Sequence, residues 1–132
     1  MALSKKQMGD TGERLIAAKL KAAGFSIELM PTNWKNYDLT AKATPRGLAK
    51  RICVKCRHLG KGYIAFRPDE SDWLAVVLIG RRPYRYFVIP HKAALKVANQ
   101  PPWPSFRRLW VRDIPTLFRK FENNFDLRKS PG

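Results

Sequence analysis

Two acids and one lysine in the first half of the chain are the residue types that metal-assisted cleavage of a phosphodiester bond requires. Glu13 lies in an N-terminal segment with a helical pattern, and Asp38 and Lys55 lie in two later segments with the alternation of strands. A cation held by carboxylates can polarise a phosphate and lower the pKa of its bound water. This chemistry requires the helix and the two strands to converge.

The N-terminal segment carries the signals of a helix that places Glu13. Ser4 and Gln7 form a capping-box pattern, good helix formers follow through Ala23, and Gly24 is suited to a left-handed cap. The apolar residues cluster on one face of this helix, namely Met8, Gly12, Leu15, Ile16, Leu20 and Ala23. Glu13 falls on the edge of that face, so we expect it to lean over the surface that the helix covers.

Two strands joined by a turn are predicted to bring the other two residues together. Residues 37–43 alternate with Asp38 on the polar face, and a Thr-Pro-Arg-Gly turn follows. In the next strand Cys53 and Lys55 share one face and Cys56 points to the other, because strand side chains alternate with period two. The hairpin therefore predicts one surface that carries Asp38, Cys53 and Lys55.

The remaining pattern favours an α/β fold with a mixed, mainly antiparallel central sheet flanked by helices. The length of 132 residues predicts a single domain, with a core at 5–98 and a C-terminal extension at 105–126. Further strands are expected over 25–30, over 73–79 with both faces buried, over 84–89, and at the sheet edge over 109–111. A polar loop is expected over 60–71 and a short helix over 91–98. The last helix is expected to place Leu117, Phe118 and Phe121 in the core.

The charge balance indicates a polyanionic partner. The chain has 26 lysines and arginines against 10 acidic residues, a formal net charge of +16, and the basic residues run from Lys5 to Lys129. A field of this sign raises the local concentration of polyanions and makes their binding depend on salt. We therefore expect nucleic acid as the partner, and the composition does not distinguish DNA from RNA.

The sequence predicts a cytoplasmic protein with no membrane partner. No apolar run approaches the roughly 20 residues of a membrane span. The first residues lack the apolar centre of a signal peptide. Cys53 and Cys56 are the only cysteines, too few for a secreted scaffold held by disulfides.

Cys53 and Cys56 also form a Cys-x-x-Cys motif, which is the spacing of redox pairs and of zinc sites. A redox pair belongs at the start of a helix, whereas these residues fall on opposite faces of a predicted strand. A zinc site needs about four ligands, and His58 and the distant His91 would have to complete it. We therefore favour Cys56 as a small buried apolar residue.

Basic and aromatic residues surround the predicted surface. The candidates for contact with nucleic acid are Lys35, Arg51, Arg57, Lys61, Tyr63 and Arg67. Such residues would contact phosphates, which favours affinity over the reading of base sequence.

Short motifs in the first half of the chain occur in a characteristic order. They are Gly12-Glu13, Ala22-Ala23-Gly24-Phe25, Tyr37-Asp38-Leu39 and Val54-Lys55. This order resembles the PD-(D/E)xK nuclease superfamily, in particular small single-domain members such as archaeal Holliday junction resolvases and group I intron homing endonucleases. The resemblance covers about residues 8–90 and implies a restriction-endonuclease-like fold.

The resemblance implies a role for each residue of the pattern. Asp38 would be the central ligand of Mg²⁺ or Mn²⁺, and Glu13 would contact the metal directly or through water. The backbone carbonyl of Val54 would complete the protein's share of the ligands. Lys55 would orient the attacking water or help to deprotonate it.

Cys53 departs from the pattern, because related nucleases usually have Glu or Asp two residues before the lysine, and homing endonucleases sometimes have Gln there. Mg²⁺ prefers oxygen ligands, whereas a thiolate suits softer metals, so Cys53 is a poor replacement for the missing acid. Three alternatives follow. Glu13 and Asp38 suffice, an acid from Asp69-Glu70 reaches the site, or the protein binds nucleic acid without cutting it.

Two functions are therefore predicted. The first is a metal-dependent DNA endonuclease that acts on double-stranded DNA, branched or intron-related, for which two copies could pair through the region of Trp110 and Phe121. The second is a non-catalytic nucleic-acid-binding protein on a degenerate nuclease scaffold. Asp38 and Lys55 favour the first function, and Cys53 favours the second.

Overall fold

A computed structural model describes residues 4–31, Trp34 and residues 37–128. Its helices are α1 Lys5–Ala22, α2 His91–Val97 and α3 Ile114–Leu117, and short 3-10 helices cover Val111–Asp113 and Arg119–Phe121. Its strands are β1 Ser26–Leu29, β2 Leu39–Lys42, β3 Lys50–His58, β4 Tyr63–Phe66, β5 Trp73–Ile79, β6 Arg85–Pro90 and β7 Arg107–Trp110. None of the helices in these ranges has the length and apolar character needed to cross a membrane.

Helix α1 begins and ends where its capping residues predict. The Gln7 backbone N–H donates to Ser4 Oγ at 3.1 Å, and the Ser4 N–H donates to Gln7 Oε1 at 2.9 Å. These two bonds form a capping box. Gly24 adopts a φ of 101° after the helix, which a residue with a side chain would rarely take.

The central sheet has five strands in the order β1-β2-β3-β5-β6. The β3–β5 pair is parallel and the other three pairs are antiparallel, which confirms the predicted mixed, mainly antiparallel sheet. Helix α1 covers one face of this sheet. The other face lies under β4, β7, α2 and α3, so β5 is buried on both sides as predicted.

The prediction of a loop over 60–71 is wrong, because β4 lies inside it. Ile64 and Phe66 are fully buried and alternate with Tyr63 and Ala65, which is the period of a strand. This pattern spans only four residues and is bounded by glycine and polar residues, so it is easily taken for loop. Strand β4 pairs with β7, with Tyr63 opposite Trp110, as a separate two-stranded sheet.

The predicted last helix is also wrong in its length. The chain leaves the helical conformation at Phe118, whose φ and ψ are −119° and 30°, and a 3-10 turn follows. Leu117 and Phe121 therefore no longer share a helical face. Phe118 is buried as expected, but Leu117 is 47% exposed.

Gly12 sets the close approach of α1 to β3. A Cβ atom added at Gly12 would lie 2.8 Å from the Cys56 Cβ and 3.4 Å from Val54 Cγ1. A glycine in the middle of a helix is otherwise unfavourable by about 1 kcal/mol relative to alanine. The close contact between α1 and β3 therefore accounts for a glycine at position 12. This contact holds the helix against the strand that carries Lys55.

We expect Gly12→Ala to lower the free energy of unfolding by about 1–2 kcal/mol, because the added methyl overpacks the contact with Cys56. Gly9→Ala is the matched control. Nothing lies within 4 Å of a Cβ atom built at Gly9, so this variant should be stabilised by up to about 1 kcal/mol. Urea denaturation of both variants measures the difference. Equal effects of the two changes would contradict the packing role of Gly12.

Candidate active site

Asp38 is fixed at the point where β2 begins to pair with β3. Its backbone N–H donates to the carbonyl of Ile52 at 2.9 Å, and its side-chain Oδ2 accepts the backbone N–H of Val54 at 2.6 Å. The Leu39–Ile52 register of the hairpin produces both contacts. The Asp38 carboxylate is thereby held beside the middle of β3, the strand segment that contains Lys55.

The groups around Asp38 shift its pKa in opposite directions. Burial raises the pKa of the Asp38 carboxyl, and the Val54 N–H and the Lys55 ammonium lower it. The Glu70 charge raises it again, and the contact with the Cys53 thiol lowers it. The pKa stays above its ordinary value because burial outweighs the favourable contacts. The structure thus brings Asp38, Cys53 and Lys55 to one surface.

Glu13 reaches this surface from α1. Burial, the Asp38 charge and the Asp10 charge raise the pKa of Glu13 to about 6. Glu13 and Asp38 both line one surface cavity of about 440 Å³ between α1 and the segment that precedes β2. The helix acid, the strand acid and Lys55 therefore converge, with Asp38 between the other two.

Glu70 is a third carboxylate at this surface, and it comes from the loop between β4 and β5. Its side chain is only 7% exposed, and its Oε1 lies 3.2 Å from the Cys53 Sγ. Burial raises the pKa of the Cys53 thiol well above its ordinary value, and the Glu70 and Asp38 charges add to the effect. The thiol is therefore protonated at neutral pH and donates to Glu70.

The arrangement suits a hard divalent cation better than a soft one. No three His, Cys, Asp or Glu side chains within the described ranges form a ready-made metal centre. Mg²⁺ is commonly held by one or two carboxylates and keeps several of its waters. Burial and, next to it, the Asp38 charge raise the pKa of Glu13, and the two acids share a cavity, so a cation there would relieve their repulsion. These oxygen donors fit Mg²⁺ or Mn²⁺.

The two cysteines do not form a joint site. Cys53 packs in the apolar cluster under β4 and β7, whereas Cys56 packs against α1, so they occupy opposite faces of the sheet. His58 is exposed, and His91 is buried between Ser71 and the carbonyl of Arg67. This placement agrees with our choice of Cys56 as a small apolar residue.

The basic candidates lie on β3, on the turn after it and on the segment after β4. Lys61 and Arg67 are exposed, and Tyr63 is 36% exposed. The Arg51 guanidinium pairs with Asp72 at 3.2 Å, and Arg57 donates to the carbonyls of Cys56 and Tyr63. Lys35 lies outside the residues that the structure describes.

Lys5 and Lys6 are candidate site residues that the sequence analysis missed. Both line the cavity shared by Glu13 and Asp38. Lys5 also lines a second cavity, of about 430 Å³, with Arg57 and Tyr63. Lys6 and Glu13 are seven residues apart on one helical face, which was the available signal. The first turn of α1 therefore links the acidic residues to the basic candidates.

A second group that the sequence analysis missed surrounds Tyr63 on the two-stranded sheet. The Tyr63 ring stacks on Trp103 with centroids 5.9 Å apart, and the Arg108 guanidinium lies over Trp110 at 4.7 Å from its centroid. Trp103 is 44% exposed. The pairing of β4 with β7 creates this arginine–aromatic cluster, so the missed strand explains the missed residues.

Comparisons with solved structures identify the fold. A bacterial homing endonuclease, I-Ssp6803I, is similar over 82% of this chain and 78% of its own, with 12% sequence identity and a TM-score of 0.61. Hjc, a Holliday junction resolvase from the archaeal hyperthermophile Archaeoglobus fulgidus, is similar over 85% of this chain and 88% of its own, with 13% identity and a TM-score of 0.51. Both are restriction-endonuclease-like PD-(D/E)xK nucleases, which confirms the predicted resemblance and fold. No family model matches the sequence, and no curated protein matches it significantly.

We expect the raised pKa of Glu13 to change how the free energy of unfolding depends on pH. The pKa of Glu13 is raised from 4.5 to about 6 in the folded protein. Between pH 4.5 and 6 the folded state therefore binds more protons than the unfolded state. The contribution of Glu13 to the free energy of unfolding falls as pH rises through this range. In Glu13→Gln this decrease in stability is absent, because glutamine does not titrate. The free energy of unfolding of the variant, relative to the unchanged protein, should therefore increase between pH 4.5 and 7 in urea denaturation. A constant difference across that range would contradict the raised pKa.

Proposed function

We propose, from the nuclease fold that the chain shares with these two structures, that this protein is a metal-dependent DNA endonuclease. The observation that carries the proposal is the environment of Asp38. Its carboxylate is held by the Val54 N–H between Lys55 and two further carboxylates, Glu13 and Glu70. A fixed acid, a neighbouring acid and a lysine are the protein groups that metal-assisted hydrolysis of a phosphodiester uses.

Asp38, Glu13 and the backbone carbonyl of Val54 would hold the metal, Mg²⁺ or Mn²⁺. When bound, the metal polarises the phosphate and lowers the pKa of its coordinated water. The chain's own part is to fix these oxygens before the substrate arrives. The Val54 N–H does this for Asp38, because it occupies one carboxylate oxygen and sets the direction of the other.

Lys55 supplies the positive charge next to Asp38. It shares a strand face with Cys53 and lies close enough to Asp38 and Cys53 to lower the pKa of both groups. We assign it the role of orienting the attacking water and of stabilising the charge that develops on the phosphate. Since a lysine ammonium is a compact point charge with three donors, it can serve both purposes from one position.

The substrate would be double-stranded DNA, branched or intron-related, bound through its phosphates. The net charge of +16 attracts a polyanion, and Lys5, Lys6 and Lys61 lie around the cluster of acids or on the turn that follows β3. The homing endonuclease and the Holliday junction resolvase have names that refer to DNA substrates of these kinds. Two copies would pair to cut both strands, with the partly exposed Trp110 and Phe121 as the candidate contact.

A non-catalytic nucleic-acid-binding protein is the second candidate. One observation favours it, because Cys53 occupies the strand position where related nucleases have an acid, and its thiol is protonated. Such a protein would keep the basic surface and bind DNA with the same dependence on salt. It would not cleave DNA with either metal.

We expect Asp38→Asn and Lys55→Ala to lower the rate of DNA cleavage by about 100-fold or more, because each removes a group that acts at the reacting phosphate. Supercoiled, linear and four-way-junction DNA with Mg²⁺ or Mn²⁺ are the substrates to compare. Asp113→Asn and Lys96→Ala, which change an acid and a lysine elsewhere on the surface, are the matched controls and should cleave normally.

The same assay separates the two candidate functions. Cleavage by the native protein that both site variants lose supports the endonuclease. If the native protein binds DNA but only Cys53→Glu cleaves it, the native chain is the binding protein. If the native protein neither binds nor cleaves DNA at moderate salt, both candidates are rejected.

We expect Lys61→Ala and Arg67→Ala to weaken DNA binding to a similar extent at all base sequences. Each lost phosphate contact should reduce the slope of log affinity against log salt concentration by about 1. Lys96→Ala on α2 serves as the control. Fluorescence anisotropy over a series of salt concentrations gives the slopes, and an unchanged slope for both variants would exclude these residues from the interface.

A further inference from the structure

Glu70 is a buried carboxylate with a single weak hydrogen-bond donor beside it. Within residues 4–31, 34 and 37–128, its carboxylate receives one hydrogen bond, from the Cys53 thiol, and makes no ion pair. Burying a charged group with so weak a donor is unfavourable unless a cation compensates it. Asp38 lies close enough for the two charges to interact, which increases the cost.

The loop that carries Glu70 is held on both sides of that residue. The Ser71 hydroxyl lies 3.0 Å from the carbonyl of Trp73 and 3.0 Å from His91 Nδ1. His91 Nε2 donates to the carbonyl of Arg67 at 2.9 Å, since a carbonyl can only accept. Asp72 accepts the Arg51 N–H at 2.9 Å and pairs with its guanidinium. Glu70 therefore points at Cys53 from a fixed backbone.

Asp69, the other acid of this loop, lies elsewhere. It is exposed and lines a different cavity, with Arg51, Asp72 and His91. The two neighbouring acids are thus separated by the loop, and only Glu70 faces the surface of Asp38 and Lys55. This difference provides a control one residue away.

We propose that Glu70 supplies, from the β4–β5 loop, the metal-site carboxylate that β3 lacks at position 53, and that the Cys53 thiol is a positioning residue for it. This inference rests on the proposed metal-dependent cleavage. Glu70 acts on the metal through one of the waters that Mg²⁺ retains, because no three acidic side chains within the described ranges are grouped closely enough to hold it directly. A thiol fits position 53 because an acid there would place a second negative charge against Glu70.

The first experiment measures Mn²⁺ binding to the whole protein without DNA, by isothermal titration calorimetry and by loss of the free Mn²⁺ signal in electron paramagnetic resonance. We expect Glu70→Gln to weaken Mn²⁺ affinity by about 10-fold or more. Glutamine keeps the size and the oxygen that accepts from Cys53, so a purely structural Glu70 would tolerate the change. Asp69→Asn should bind Mn²⁺ like the unchanged protein.

The second experiment moves the acid back to the strand. We expect the double variant Cys53→Glu with Glu70→Gln to recover Mn²⁺ affinity that Glu70→Gln alone has lost, because one carboxylate again faces Asp38. For the positioning role, Cys53→Ala should weaken Mn²⁺ affinity by up to about 10-fold, and Cys53→Ser, which keeps a donor, should largely restore it. Circular dichroism establishes that each variant is folded.

The outcomes distinguish this inference from the proposed function. If Asp38→Asn loses Mn²⁺ affinity while folded Glu70→Gln keeps it, Glu70 is not a metal-site residue and the proposed function stands. If the unchanged protein binds no Mn²⁺, both are rejected. If Glu70→Gln does not fold, failure of the folded Cys53→Ala variant to weaken Mn²⁺ binding would overturn the proposal.

Discussion

The hydrogen bond from the Val54 N–H to Asp38 Oδ2, at 2.6 Å, is the contact on which the rest of the site depends. It exists because β2 pairs with β3 in one register, with Leu39 opposite Ile52. A shift by one residue would turn Lys55 to the opposite face of the sheet. The buried Leu39, Ala41 and Ile52 prevent such a shift, since it would expose them. The apolar core of the sheet thus fixes the polar site where β2 begins to pair with β3.

Eight of the ten acidic residues of this basic protein fall into two groups. Asp72, Asp113, Glu122 and Asp126 each form an ion pair with an arginine. Around the start of β2, Glu13 lies close enough to Asp10 and Asp38 for their charges to interact, and Asp38 lies equally within reach of Glu70. Within the part of the chain that the structure describes, none of these four makes an ion pair, although the chain has 26 basic residues. The unpaired group lies where a cation would act, inside a field that attracts DNA.

Local patterns predicted most of the fold and the central part of the site. The capping box, the glycine after α1 and the alternation in β3 depend on neighbouring residues, so the sequence shows them directly. Asp38 and Lys55 could be paired because a hairpin joins their strands. Strand β4 could not be found, because its four residues gain their stability from β7, which lies more than 40 residues later. The arginine–aromatic cluster depends on that pairing and was missed with it.

The position of Glu70 illustrates the same limit. The sequence analysis left open whether Asp69 or Glu70 reaches the site, because the choice depends on contacts of the loop with Arg51 and His91. Arg51 and His91 lie about 20 residues away on either side of the loop, and neither contact follows from local periodicity. The protonated state of Cys53 likewise follows from burial under β4 and β7, which the sequence does not reveal.

The most direct test of the central claim is a crystal structure of the protein soaked with Mn²⁺, with anomalous scattering used to place the metal. We expect an anomalous peak within about 2.5 Å of an Asp38 carboxylate oxygen, on the side of the cavity shared with Glu13. An anomalous map with no peak at Asp38, recorded at a Mn²⁺ concentration that supports DNA cleavage, would contradict it.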